Sequence, residues 1–172
     1  MTNVDPKSEA KSGGWYSRSR LSIIVLVLVA IALFSSLIIS GGTMFAGTRP
    51  TNLGITNGKL ASCPGSPNCV NSQSAGALDK IAPLTYTDSK IAAMARLTAV
   101  INSLPRTKII TQTEDYLYAE FTTALMKFVD DVEFYAEDNS KVIHLRSASR
   151  LGQSDLGANR DRLEAIRAKF NS

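Results

Sequence analysis

The side chains best suited to chemistry crowd into one stretch near the C-terminus, Arg146-Ser147-Ala148-Ser149-Arg150-Leu151-Gly152-Gln153-Ser154-Asp155-Leu156-Gly157-Ala158-Asn159-Arg160. Three arginines here surround the expected start of a helix. Backbone N–H groups at a helix N-terminus and guanidinium groups both favour phosphate or carboxylate. Strand alternation places Asp130, Ser147 and Ser149 on an otherwise apolar face, and Asn159 falls in the apolar stripe of the following helix. Buried polar groups cost stability unless they are paired, so these four should meet one another, backbone groups or an arginine. Asp130, Ser147, Ser149, Arg150, Asn159 and Arg160 are therefore the candidate ligand-binding residues. Two uses compete. One is a structural tie in which Arg150 or Arg160 neutralises Asp130. The other is an anion site at the strand-to-helix junction; a hydrolase or transferase would use Asp130 with Ser147 or Ser149, the arginines clamping the substrate.

Cys63 and Cys69 bracket Cys-Pro-Gly-Ser-Pro-Asn-Cys. A close pair in an exported domain forms a disulfide, here closing a loop stiffened by Pro64 and Pro67. No metal or cofactor is expected, because His144 is the one histidine and a metal site needs further ligands. His144 should lie on a solvent face beside Glu133. Glu120, Asp131 and Glu133 share that face as a carboxylate cluster, a weak cation site without histidine, and Asp131 should pair with Arg146 as an ordinary solvated ion pair. The chain has no Gly-x-Ser-x-Gly elbow, Gly-rich phosphate loop or His-Glu-x-x-His motif.

The elements that position these residues follow from periodicity. A helix should begin at Asp88 or Ser89 and stop before Pro105, burying Met94, Leu97, Ile101 and Leu104. Strands are expected over 108–112, 116–123, 128–135 and 141–150. A tight turn at Asp138-Asn139 would set Phe134 opposite Ile143, Val132 opposite Leu145, Asp131 opposite Arg146 and Glu133 opposite His144. A last helix over 155–170, capped by Ser154 or Asp155, should bury Leu156, Leu163, Ile166 and Phe170. The expected fold is α+β: a four-stranded antiparallel sheet with one dry face, on which two helices pack.

Upstream, no charged residue occurs between Arg20 and Arg49, and the run from Leu21 to Ser40 approaches the roughly 20 residues of a membrane-spanning helix. A cleaved export signal, ending at Ser40-Gly41-Gly42, is the competing reading. Lys7, Lys11, Arg18 and Arg20 on the N-terminal side put that end in the cytoplasm, with Trp15 and Tyr16 at headgroup level. The sequence pI of 9.2 partly reflects this tail: from Arg49 onward fifteen Lys plus Arg face thirteen Asp plus Glu, which argues against nucleic acid. The expected organisation is a tail at 1–20, a transmembrane helix at 21–40, an irregular segment with the disulfide loop at 41–84 and the α+β domain at 85–172. The protein would sit in a bacterial inner membrane with its domain in the periplasm.

The stretch 49–172 resembles the bacterial and plastid family called domain of unknown function 1499. The resemblance rests on Cys63-Pro64-Gly65-Ser66-Pro67-Asn68-Cys69-Val70, Ala119-Glu120-Phe121-Thr122, Phe128-Val129-Asp130-Asp131-Val132-Glu133-Phe134, Arg146-Ser147-Ala148-Ser149-Arg150, Ser154-Asp155-Leu156-Gly157 and Asn159-Arg160. Asn71 stands where the pattern has serine. The resemblance implies an exported or membrane-associated module and assigns no chemistry. Taken together, the residues predict a non-enzymatic envelope protein that binds a protein partner or a small anionic ligand.

Overall fold

The computed structural model describes residues 15–40, 45–137 and 139–172. Lys7, Lys11, Gly41, Gly42 and the turn residue Asp138 lie outside them, as do the side chains of Trp15, Tyr16 and Arg18. The chain divides into two units, Met1–Gly42 and Thr43–Ser172.

The first unit contains helix α1, Trp15–Ser40. Among the described residues no helix is long and apolar enough to cross a membrane. This corrects the transmembrane span expected over 21–40.

The second unit is an antiparallel sheet with two helices. Strands β1 (Cys69–Asn71) and β2 (Leu84–Thr85) precede helix α2 (Lys90–Asn102). Strands β3 (Thr107–Gln112), β4 (Tyr116–Thr122), β5 (Val129–Glu137) and β6 (Val142–Ser149) then form a meander, and helix α3 (Ala158–Phe170) ends the fold. The sheet order is β1-β6-β5-β4-β3, with β2 also pairing β6. Six strands thus replace the expected four. The additional two come from the stretch read as irregular, where runs this short, bounded by turn residues, carry no visible period. They cover the edge of β6, whose backbone groups would otherwise be open to pairing with another chain.

Helix α2 starts where expected: the Ser89 side chain accepts from the Ala92 N–H at 3.1 Å. Met94, Leu97 and Ile101 are buried from its inner face, and Leu104 packs beside them. Helix α3 starts later than expected, because Asp155 acts from outside it, accepting from the Gly157 N–H at 3.0 Å and the Asn159 N–H at 2.7 Å. Leu156, at φ 55°, is 95% exposed and leaves the predicted stripe; Asn159, Leu163, Ile166 and Phe170 remain buried.

The β5–β6 register is shifted by two from the expected one. Phe134 faces Leu145, Val132 faces Ser147 and Glu137 faces Val142. The connection spans residues 138–141, with Lys141 at φ 54°, instead of a two-residue turn. A shift of two exchanges partners and preserves faces. The core face therefore holds Leu117, Ala119, Phe121, Val132, Phe134, Ile143 and Leu145 beneath α2 and α3. On the opposite face Glu133 meets Arg146, Tyr135 meets His144 and Asp131 meets Ala148.

That opposite face is covered as well, which overturns the picture of one dry side. Leu53, Ile55 and Leu60, from the segment ahead of β1, pack against Tyr116 and Tyr118. Cys63 and Cys69 form the expected disulfide, with Cα atoms 5.7 Å apart.

Candidate functional site

Four of the six candidates meet on the core face. Asp130 and Ser147 project from β5 and β6, and both are buried together with Asn159 from α3. Asn159 receives a short hydrogen bond from the Ser147 hydroxyl, and its amide donates to Ser149 Oγ at 3.0 Å and to the Asn68 carbonyl at 2.9 Å. The cation at the centre is Arg162. It pairs with Asp130, donates to Ser147 Oγ at 3.1 Å and Asn159 Oδ1 at 2.5 Å, and lies 5.0 Å from the Phe121 ring centre. The cluster ties α3 to β5, β6 and the cysteine loop.

Arg150 and Arg160 do not join it. Alternation along β6 sends Arg150 with Arg146 to the other face, and Arg160 donates to the carbonyls of Lys80 and Leu78, 2.9 Å each, on the surface. Asp155 occupies the helix N-terminus, its carboxylate serving as the anion there. The arginines expected to clamp a ligand are thus committed elsewhere. Arg162 was missed, although it sits three residues after Asn159 on the same helical face.

The opposite face holds a second set of charges. Arg150 donates to both Asp131 oxygens, to the Tyr118 hydroxyl at 3.1 Å and to Glu120. Tyr118 in turn donates to Asp131 Oδ1 at 2.5 Å. Arg49 reaches Glu120 from the covering segment, Nε at 2.9 Å and Nη2 at 2.6 Å. Beside them Glu133 accepts from Arg146 Nη1 at 3.1 Å, Tyr116 Oη at 2.8 Å and the Gly54 N–H at 2.7 Å. The expected solvated pair of Asp131 with Arg146 is corrected: Asp131 is 1% and Arg146 5% exposed, and each has a different partner.

The surroundings shift protonation accordingly. Burial, reinforced by the Glu133 carboxylate, pushes the Tyr116 phenol far above its ordinary range; burial and Asp131 do the same for Tyr118. Burial alone would raise Glu120, but hydrogen bonds from Arg150 and Arg49 outweigh it and hold the carboxyl below its ordinary value. Arg150 is fixed in its charged form, chiefly by Asp131.

His144 is half-buried instead of lying on an open solvent face. Its Nδ1 lies 3.1 Å from Ser72 Oγ and its Nε2 3.8 Å from Glu137 Oε2, which arranges a serine, a histidine and a carboxylate in line. Acyl transfer also needs donors aimed at a developing oxyanion. Around Ser72 those donors are spent: its own N–H bonds Leu145 O, the Gln73 N–H bonds Asn71 Oδ1 and the Ser74 N–H bonds Asn71 O. Ser72 Oγ itself accepts from the Leu145 N–H at 3.0 Å.

The fold and these clusters define a two-layer α+β domain, locked by a disulfide, that buries ion pairs on both sides of its sheet. The chain belongs to the family described as "Protein of unknown function (DUF1499)", whose model matches residues 59–170. Comparison with curated proteins finds no match.

Proposed function

We propose that the second unit is a non-catalytic binding module working outside the cytoplasm. The observation that carries this reading is the commitment of its reactive side chains to internal bonds. Asp130 and Ser147 are sealed beneath α3, and the half-buried Ser149 accepts from the Asn159 amide, which leaves the hydrolase or transferase reading without a free base or serine. Arg150 and Arg160, the intended anion clamp, are held on different surfaces. The disulfide supports an oxidising compartment, where such bonds persist. Two open pockets, of about 390 and 410 Å³, lie away from the charged clusters: one beside Tyr86, Arg96 and Phe170, the other beside Pro67, Cys69 and Leu78.

The test is turnover. The full chain, assayed against ester, amide and phosphoester substrates, should show no activity that Ser72→Ala, His144→Ala or Ser147→Ala removes. Activity lost in any of these folded variants would overturn the reading. Trapping free thiols in intact cells should find Cys63 and Cys69 oxidised, and reduced cysteines would exclude the compartment.

A further inference from the structure

The segment from Gly47 to Leu60 crosses the face formed by β4, β5 and β6 without joining the sheet ladder. The backbone bonds described within it link Thr56 and Lys59 to each other. Side chains hold it instead. Arg49 anchors on Glu120, with its guanidinium 5.8 Å from the Tyr118 ring centre. The Gly54 N–H rests on Glu133. Leu53 and Ile55 pack around the two tyrosines. At Gly47, φ is +66° and an added Cβ would stand 2.8 Å from Arg150 Cβ, so only glycine lets the chain pass there. A charged anchor, one backbone group on a side chain and apolar residues packed on aromatic rings are the contacts by which a protein surface holds an extended peptide.

Charge and hydrogen bonding leave the face incomplete without an occupant. Beneath the segment lie three carboxylates, Glu120, Asp131 and Glu133, against two guanidiniums, Arg146 and Arg150; Arg49 supplies the third positive charge. Even so, Arg146 Nε, fully buried, has no hydrogen-bond partner among the described residues. These five charged groups fall within the family match at 59–170, whereas Arg49, Leu53, Gly54 and Ile55 lie outside it.

We infer that this face is a groove for an extended, arginine-bearing segment of a partner protein, and that residues 49–55 occupy it in cis as a displaceable stand-in. The inference rests on the binding reading above and names its partner. The matching chemistry is an arginine for Glu120, since two N–H groups converge on one carboxylate, with apolar side chains four and six residues further on. A small residue between those two lets its N–H reach Glu133. A partner that also sets an oxygen on Arg146 Nε makes a bond the cis segment lacks, which is how it would displace that segment.

The probe is a synthetic peptide of residues 45–60 carrying a fluorophore, read by anisotropy against the full chain. Arg49→Ala and, independently, Gly47→Ala should free the cis segment, seen as lost hydrogen-exchange protection at the Gly54 N–H. Each variant should then bind the peptide at least tenfold more tightly than the parent, whose own segment competes. A peptide with alanine in place of its arginine should bind at least tenfold more weakly, and Glu120→Gln in either variant should remove binding. The parent offers an arm that needs no variant: excess peptide should lower the protection of its own Gly54. Folded variants that have lost Gly54 protection yet ignore the peptide would show the segment to be structural cover, leaving the non-catalytic reading intact with another surface. Gly54 protection unchanged in both variants and in peptide-saturated parent would overturn the displaceable segment itself. Turnover would sink the non-catalytic reading and leave the peptide result standing.

Discussion

Glu133 is fully buried, and its two oxygens accept from Arg146, Tyr116 and Gly54. Glu133→Gln keeps the shape, removes the charge and replaces one oxygen by an NH2 group. Whichever way the amide turns, that NH2 faces a donor: Arg146 on one side, Tyr116 and Gly54 on the other. Arg146 stays buried without a counter-charge, and its Nε already lacks a partner. Removing one member of a buried pair costs about 3–5 kcal/mol, a large share of the roughly 5–15 kcal/mol that holds a domain folded. At about 2–8 °C per kcal/mol for domains bracketing this size, the melting midpoint should fall by about 6 °C or more. Urea unfolding of the full chain, followed by circular dichroism, measures the loss, and Glu133→Leu/Arg146→Met should recover most of it, because an apolar pair avoids the cost of burying charge. A cost for Glu133→Gln below about 1 kcal/mol, the range of exposed pairs, would show that water reaches this pair and would refute the sealed face.

Arg162→Leu should be similarly damaging, by about 3–5 kcal/mol, whereas Arg160→Ala, which loses surface contacts to two carbonyls, should cost less than half as much; equal losses would sink Arg162 as the counter-ion of Asp130. Opening the Cys63–Cys69 loop, six residues apart, should lower stability by about 2 kcal/mol of loop-closure entropy, and an unchanged midpoint in Cys63→Ser/Cys69→Ser would credit the loop's shape to its own hydrogen bonds. Tyr116 and Tyr118 have folded pKa values raised above the ordinary 10.0, so their contribution to stability is complete below that value and lost as pH rises through the folded values. In a spectrophotometric titration of the five tyrosines, these two should ionise only as the domain unfolds; five ordinary titrations would contradict their burial. Glu120 has the opposite sign: its folded pKa is depressed below 4.5, so its contribution is present above 4.5 and lost as pH falls through the folded value. Glu120→Gln should therefore flatten the acid limb of the stability curve, and an unaltered limb would place its origin elsewhere.

Much of the domain was legible because long periodic elements announce themselves. Met94, Leu97 and Ile101 mark the inner face of α2, and Ser89 marks its start. The core faces of β4, β5 and β6 followed from alternation, and so did the burial of Asp130 and Ser147, while that of Asn159 followed from the helical stripe. The register failed because turn length is not encoded by alternation, and a shift of two leaves every face unchanged. The assignment of Arg150 to Asp130 failed against the same alternation, since Arg150 shares a parity with Arg146 and not with Ser149. The buried character of Asp131, Glu133 and Arg146 was not legible from these strands at all. What dries that face is a segment of Gly, Pro, Asn and Thr that resembles a linker in composition, and only contacts distant in sequence, such as Arg49 with Glu120, reveal it. The same blindness to short non-periodic pieces hid β1 and β2.

The placement of β1 has a consequence for the order in which the domain can assemble. β1 pairs with β6, Cys69 standing opposite Ala148, and the Asn68 carbonyl waits for Asn159. Contacts so distant along the chain must meet the entropy of closing a long loop before they return any energy, which makes them late. During synthesis from the N-terminus, Cys63 and Cys69 emerge while the strand they will dock on does not yet exist. The meander β3–β6, built from neighbours in sequence, supplies a local nucleus, and the stapled loop then closes its edge as one of the last events.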